Sequence, residues 1–223
     1  MFDAVDVLLG ERFVALDLGC GPGSLSQRLL ARFPAARVVA LDHDPVTLAI
    51  GRGALGDAGG RLRWVEADLN APDWSSHLGE TTFDAVLSTT ALHWLRPGVL
   101  VAVYRRLAEL LRPGGLFLDG DHLPYPPARA RIARLAETVK QRRRERALAA
   151  PGVESWEAWW DAVAADPGLA GLHAERAHRF AGYRDGMLPL GYEFHVASLR
   201  DAGFREVDTI WPQFSNRVLL AVR

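Results

Sequence analysis

Short apolar runs alternate with helix-like segments through the first half of the chain. Each run is brief and almost free of polar residues, which is typical of a strand buried on both faces of a sheet. The runs fall at residues 13–18, 37–41, 62–66, 83–88 and 116–120. The segments at 24–33, 45–55 and 97–111 carry apolar residues at helical spacing. This alternation predicts an α/β fold, with a parallel sheet and helices on both faces.

The alternation stops near residue 121. A proline-rich stretch at 121–127 precedes three segments with helical patterns, at 128–149, 155–165 and 167–182. The sheet pattern returns with a helix at 192–202 and two strands, 205–211 and 217–222, close enough to form an antiparallel pair. We therefore predict a sheet domain made of residues 1–120 and 191–223, with a helical insertion at 121–190.

Composition narrows the class of protein. The 223 residues carry 26 basic and 27 acidic side chains, a formal net charge of −1, which disfavours nucleic acid as a partner. Cys20 is the single cysteine, so neither an intramolecular disulfide nor a cysteine zinc cluster is expected, and no metal site is predicted. No apolar run approaches the ~20 residues that span a bilayer, and residues 1–12 lack the basic start of a signal peptide. We expect a cytoplasmic protein without membrane contact.

A glycine-rich turn follows the first predicted strand. The string Gly19-Cys20-Gly21-Pro22-Gly23 is neither the G-x-G-x-x-G of dinucleotide sites nor a Walker loop. Pro22 removes an N–H that a pyrophosphate could use, so the loop suits a close approach of backbone to ligand. A dinucleotide, a nucleoside triphosphate, S-adenosylmethionine or a tight turn without ligand remain open. Asp42, 23 residues after Gly19, favours a ligand with free ribose hydroxyls and argues against NADP.

Five motifs then carry a family resemblance. They are "LDLGCGPG" (16–23), "LDHDP" (41–45), "ADL" (67–69), "FDAVLSTTALHWL" (83–95) and "LRPGGLF" (111–117). In this order and spacing the chain resembles class I S-adenosylmethionine-dependent methyltransferases, in particular the small-molecule branch of the type 11 and type 25 domains. The resemblance implies a Rossmann-like, seven-stranded sheet of order 3-2-1-4-5-7-6 with the last strand antiparallel. It also implies S-adenosyl-L-methionine as cofactor and S-adenosyl-L-homocysteine as product.

The same resemblance implies a set of cofactor-binding residues. Asp17, Gly19 and Gly21 would face the methionine part, and Asp42 would hold the ribose hydroxyls. The remaining positions would contact the adenine or the methionine ammonium: His43 and Leu69 beside the ring, Asp68 at the adenine amino group and Thr89 through its carbonyl. All lie at the carboxyl ends of predicted strands, where open α/β sheets bind ligands.

Three residues are candidates for acceptor binding or for a general base: His93, His122 and Tyr125. His93 is either a base or a ring that packs against the ligand. His122 and Tyr125 follow the fifth strand, where an acceptor would enter. His195 is a further candidate, although surface exposure is the expectation for it. Cys20 is interpreted as a packing residue.

The insertion is expected to be the lid and the seat of specificity. Trp156, Trp159 and Trp160 share one helical face, either as its core or as an apolar wall, and the basic run 142–146 is interpreted as a solvated face. The predicted reaction is methyl transfer to an O, N or C nucleophile of a small, largely apolar organic molecule, by a monomer or homodimer. The alternatives are a cofactor-modifying enzyme resembling carboxy-S-adenosylmethionine synthases, an NAD-dependent oxidoreductase and a non-catalytic scaffold.

Overall fold

A computed structural model of the protein describes residues 1–183 and 190–223. One sheet contains seven strands: β1 (Val14–Leu18), β2 (Arg37–Asp42), β3 (Leu62–Glu66), β4 (Phe83–Thr89), β5 (Leu111–His122), β6 (Glu206–Gln213) and β7 (Asn216–Val222). Their order is β3-β2-β1-β4-β5-β7-β6. β7 runs antiparallel to both β5 and β6, and the other pairings are parallel. The predicted fold class, strand order and antiparallel last strand are confirmed.

Eight α-helices occur in the described residues: α1 (Phe2–Leu9), α2 (Ser24–Arg32), α3 (Pro45–Leu55), α4 (Pro97–Leu110), α5 (Ala130–Leu148), α6 (Trp156–Ala165), α7 (Ala170–Arg179) and α8 (Tyr192–Asp201). Helices on the two faces of the sheet enclose two cores. Side chains alternate along β1, so Leu16 and Leu18 pack with Tyr104 of α4, whereas Ala15 packs with Leu29 of α2. The strand order changes direction at β1: β2 and β3 lie on one side of it, and β4 and β5 lie on the other. Such a switch point leaves a crevice at the carboxyl ends of the neighbouring strands.

Several predicted boundaries were wrong. The strand predicted at 116–120 begins at Leu111, which pairs with Phe83 of β4, and ends at His122, because its pairing with β7 continues to that residue. The helix predicted at 167–182 spans only Ala170–Arg179. Helix α2 begins at Ser24, as predicted, and ends at Arg32, one residue before the predicted end; Gly23, in a left-handed conformation, is its N-cap. Because glycine has no side chain to cap the helix, the Ser26 N–H donates to the carboxylate of Asp17 instead.

Helices α5, α6 and α7 lie between β5 and α8, and residues 184–189 of the predicted insertion lie outside the described residues. α7 packs against α3, at the edge of the crevice. α5 has a single buried residue, Ala136, and its basic run is exposed, as the sequence predicts. No helix among the described residues has the length and apolar character that a membrane span requires.

Candidate cofactor and acceptor site

The glycine loop is tied to the end of β2. The N–H groups of Gly19 and Cys20 both donate to the carbonyl oxygen of Leu41, at 2.8 and 2.9 Å. Gly19 has a φ of +71°, and a Cβ there would lie 2.4 Å from the Cβ of Ala91. Gly21 also has a positive φ, but a Cβ at Gly21 would meet no atom of the described residues within 4 Å. The first glycine is therefore required by packing, and the second faces open space where a ligand can approach the backbone.

Asp42 organises this loop through three backbone donors. One carboxylate oxygen accepts from the N–H of Gly21 at 2.7 Å. The other accepts from the N–H groups of His43 and Asp44 at 2.7 and 2.8 Å. Burial raises the pKa of Asp42, and these hydrogen bonds oppose the rise. A fixed carboxylate at the end of β2 retains lone pairs that ribose hydroxyls can use.

Asp17 lies beneath the loop. Its carboxylate accepts from the Ser26 N–H at 3.0 Å and from the Ser26 hydroxyl at 2.5 Å. Burial raises the pKa of Asp17 to about 7, despite the lowering effect of the Ser26 hydrogen bonds. Asp17 does not line the cavity described below, so its observed role is to hold α2 to β1. Its contact with the cofactor stays a prediction.

A cavity of about 430 Å³ opens above the carboxyl ends of β1, β2 and β4. Its volume is within the range of small-ligand sites, about 300–1,000 Å³. Six of the eight predicted cofactor residues line it: Gly19, Gly21, Asp42, His43, Leu69 and Thr89. Asp17 and Asp68 do not, and neither do His93, His122 or Tyr125. The structure thus brings most of the predicted cofactor residues around one space and places the three catalytic candidates outside it.

Asp68 lies at the rim and already has partners. Its carboxylate accepts from the N–H of Asn70 at 2.9 Å and from the hydroxyl of Tyr183 at 3.1 Å, and His43 Nε2 lies 3.9 Å from it. Partial burial raises its pKa, but the Asn70 hydrogen bonds and the neighbouring His43 and Tyr183 outweigh burial, so that the pKa is lowered overall. The predicted contact of Asp68 with an adenine amino group stays a prediction.

Helix α7 lies across the cavity and is anchored by two arginines. Arg176 Nε donates to Asp44 at 2.5 Å, and its guanidinium lies 3.8 Å from the ring centroid of Trp160. Arg179 donates to the carbonyl of His43 at 2.9 Å and to Glu66 at 2.7 Å. Sequence reasoning missed both arginines, because a contact across more than 130 residues leaves no local pattern.

Aromatic rings line the side of the cavity that α7 covers. Phe180, Tyr183, Trp156 and Trp160 line the cavity. The rings of Trp156 and Trp159 stack, and Trp160 meets both edge-on, so the three tryptophans share one face as predicted. Trp156 is nevertheless 63% exposed. The tryptophans therefore pack on one another while Trp156 and Trp160 also line the open cavity.

His93 and Asp121 form a hydrogen-bonded pair beside the cavity. His93 Nδ1 lies 2.8 and 3.0 Å from the two carboxylate oxygens of Asp121, whose side chain is fully buried. Asp121 also accepts from the N–H groups of His93 and His122. His93 itself is partly exposed and follows Ala91, which lines the cavity. Sequence reasoning missed Asp121; its only signal is an acidic residue that ends a buried strand in "LDGDH".

The other histidine candidates occupy different surroundings. His122 lies near His93, with ring centroids 6.3 Å apart, and its buried Nδ1 has no hydrogen-bond partner in the part of the chain that the structure describes. Tyr125 is half-buried in the loop that follows. The expected exposure of His195 was wrong: its Nδ1 lies 2.6 Å from the buried hydroxyl of Tyr104, and burial lowers its pKa to about 4. His195 is therefore a neutral residue of the α4–α8 interface.

One buried acid and one buried thiol remain. Asp119, two residues before Asp121, has no hydrogen-bond partner among the described residues for either carboxylate oxygen. Complete burial and the proximity of Asp121 raise its pKa well above the usual value, which favours the neutral form of the acid. Cys20 is buried, and burial raises the pKa of its thiol, which fits the packing role predicted for it.

Comparisons with known proteins agree with this geometry. A model of the methyltransferase domain family matches residues 15–115. The trans-aconitate 2-methyltransferase of Methylobacterium radiotolerans is 33% identical over 82% of this chain, and the match spans 59% of that protein's length. An O-methyltransferase family protein from Burkholderia thailandensis shares the fold at 20% identity and a TM-score of 0.62, over 100% of this chain and 55% of the other. PigF, solved with SAH, shares it at 18% identity and a TM-score of 0.56, over 94% of this chain and 50% of the other.

One class of protein accounts for the sheet order, for the glycine loop beside Asp42 and for these matches. Residues 15–115 match the methyltransferase domain family, and the sheet order and the relatives support the class I S-adenosylmethionine-dependent methyltransferases. Its cofactor is S-adenosylmethionine, and the residues fit that molecule: open space beside Gly21, a fixed carboxylate at Asp42 and a cavity of suitable volume.

Proposed function

We propose that this protein transfers the methyl group of S-adenosylmethionine to an O, N or C nucleophile of a small organic molecule with a largely apolar body. The observation that carries the proposal is the His93–Asp121 pair at the end of β4, next to the residues that line the cofactor cavity. A histidine held by a buried carboxylate at this place is suited to receive a proton from an acceptor.

The cofactor supplies an electrophilic methyl carbon on a positively charged sulfur. The protein must then hold the cofactor, align the acceptor and exclude water. Asp42 and the backbone around Gly21 would hold the ribose and the methionine part. His43 and Leu69 would flank the adenine, and the carbonyl of Thr89 would accept from the ammonium.

His93 would act as the base where the acceptor atom carries a proton. Because Nδ1 faces Asp121, the neutral ring carries its proton on Nδ1 and presents an unprotonated Nε2. Asp121 fixes the ring and stabilises the imidazolium that forms when Nε2 takes the proton. His122, 6.3 Å away, and Tyr125 are proposed to line the acceptor side rather than to act as bases.

The helices between β5 and α8 are proposed to form the lid, as the sequence predicts for residues 121–190. The support is the contact of α7 with α3 and the ion pair between Arg176 and Asp44. Aromatic rings on this side would exclude water from the cofactor. The apolar character of these rings supports an acceptor with a largely apolar body.

A second candidate is methylation of a carboxylate oxygen. It is favoured by the similarity to the Methylobacterium radiotolerans relative, a trans-aconitate 2-methyltransferase. A carboxylate is already ionised at neutral pH and needs no base. The two candidates therefore differ in whether the reaction depends on His93.

The partners of the protein follow from the same reasoning. We propose a small-molecule acceptor, no nucleic acid, and a monomer or homodimer acting in the cytoplasm. The balance of 26 basic and 27 acidic residues supports the absence of nucleic acid from these partners. Light scattering coupled to gel filtration would determine the oligomeric state.

The first test is calorimetric titration of the protein with S-adenosylhomocysteine and, in parallel, with NADH. Saturable binding of the first alone supports the proposal, and binding of NADH alone overturns it. An acceptor screen with methyl-labelled cofactor follows. Label in a product supports transfer, and repeated failure across acceptor classes favours the scaffold. Mass spectrometry of any co-purified ligand would reveal a modified cofactor and so favour the cofactor-modifying alternative.

A further inference from the structure

Arg217, the second residue of β7, has no carboxylate counter-ion among the described residues. Its Nε is buried and donates no hydrogen bond within the described residues. Over residues 1–183 and 190–223, no carboxylate lies within 4 Å of its guanidinium. Buried polar atoms are nearly always paired, and a half-buried charge without a counter-ion costs free energy. The unpaired guanidinium is therefore suited to binding an anion.

Two tyrosines hold this guanidinium in place. It lies 4.7 Å from the ring centroid of Tyr192, the first residue of α8, and 5.9 Å from that of Tyr125, in the loop after β5. All three residues are half-buried. Stacking on aromatic rings fixes the plane of an arginine without using its N–H donors. The donors thus remain available to a ligand.

The arginine lies on the acceptor side of the fold. Arg217 is the register partner of Asp121 across the β5–β7 pair, so both side chains point to the same face of the sheet. Asp121 is the residue that holds His93. Arg217 is therefore on the face of the sheet where Asp121 holds the proposed base.

We propose that Arg217, clamped between Tyr125 and Tyr192, binds a carboxylate of the acceptor molecule. The inference rests on the proposed methyl transfer and adds an anionic group to an otherwise apolar acceptor. A planar guanidinium fork matches a carboxylate with two parallel N–H···O bonds. The bound carboxylate either receives the methyl group or anchors an acceptor whose nucleophile lies elsewhere.

The test measures binding of matched acids and esters to the protein saturated with S-adenosylhomocysteine. The probes are trans-aconitate with its trimethyl ester, and 4-hydroxybenzoate with its methyl ester. We expect at least one acid to bind the wild type more tightly than its ester. R217Q should weaken binding of that acid about 10- to 100-fold. R217K should lose less, because it keeps the charge but not the fork.

The matched control is R205Q, which removes the same charge from an exposed arginine just before β6. It should leave acid binding unchanged, and all variants should keep the affinity for S-adenosylhomocysteine. If R217Q does not fold, R217K alone decides between loss and retention of acid binding.

Three results would overturn the inference. These are equal binding of acids and esters, unchanged acid binding by a folded R217 variant, or no saturable binding of either acid to the cofactor-product complex. In each case binding of S-adenosylhomocysteine leaves the proposed function intact. If the wild type does not bind S-adenosylhomocysteine at all, both proposals fail together.

Discussion

The carboxylate of Asp42 accepts a hydrogen bond from the backbone N–H of Gly21 at 2.7 Å and so joins the end of β2 to the glycine loop. Because the other carboxylate oxygen accepts from His43 and Asp44, the group is an acceptor on both sides. One residue thus shapes the loop and presents the charge that a ribose would meet.

Asp42→Asn replaces one of these acceptor oxygens with a donor. We expect the affinity for S-adenosylhomocysteine to fall about 10- to 100-fold, because both the loop and the ribose contact lose an acceptor. Calorimetry measures this change. Asp161→Asn, at an exposed position of α6, is the control and should bind as the wild type does. Unchanged affinity in Asp42→Asn would refute the ribose assignment.

Gly19→Ala and Gly21→Ala separate packing from ligand binding. Gly19→Ala should lower the free energy of unfolding by about 2–4 kcal/mol, since left-handed strain adds to a clash with Ala91. Gly21→Ala should cost only about 1–2 kcal/mol from backbone strain. Its methyl group enters the open space instead, so the affinity for S-adenosylhomocysteine should fall. Urea unfolding and calorimetry on both variants would show the contrast, and equal stabilities would contradict it.

His93→Gln tests the base. If the acceptor atom carries a proton, kcat should fall about 10²- to 10⁴-fold while binding of S-adenosylhomocysteine is unchanged. Asp121→Asn should lower kcat as well, because the amide no longer holds the ring in its tautomer. His77→Gln, at an exposed position, is the control. A normal kcat in His93→Gln would instead select the carboxylate-methylating candidate.

Arg176→Gln tests closure by α7. This ion pair is only partly exposed, and its guanidinium also stacks on Trp160. We expect the dissociation rate of S-adenosylhomocysteine, followed by stopped flow, to rise about 5- to 30-fold. Arg142→Gln on the exposed face of α5 should have no effect. A dissociation rate that stays constant would mean that α7 does not retain the ligand.

His195 predicts a dependence of stability on pH. Its pKa is about 4 in the folded protein, below the usual 6.5, so the unfolded chain binds more protons between these values. Stability therefore rises with pH through this window, and acidification from 6.5 to 4 should cost up to about 3 kcal/mol. Asp17, with a raised pKa of about 7, acts in the opposite direction.

Comparison with His195→Gln isolates the histidine, because Asp17 contributes equally to both proteins. Denaturant unfolding at several pH values would show the gap between them change across the window from pH 6.5 to 4. A gap that is constant with pH would exclude this account.

The apolar runs of the sequence determined β1 to β4, because strands buried on both faces must be apolar wherever the sheet places them. The glycine loop and Asp42 were also predictable, since a strand–turn–helix and the next strand end fix their neighbourhood. The strand order came from the resemblance of five motifs in register and was confirmed. The end of α4 before "RPGG" was predictable, but the start of β5 was not, because Leu111 joins the sheet only by pairing with Phe83 of β4.

Only the tertiary structure decided which distant side chains meet. His93 and Asp121 are 28 residues apart, Arg176 and Asp44 are 132 apart, and Arg217 reaches tyrosines from two other segments. Burial of His195 depends likewise on the docking of α8 against α4. Local patterns record the period of a strand or helix and the residues that end it. The register between strands and the docking of helices decide which side chains become partners, and no local pattern records them.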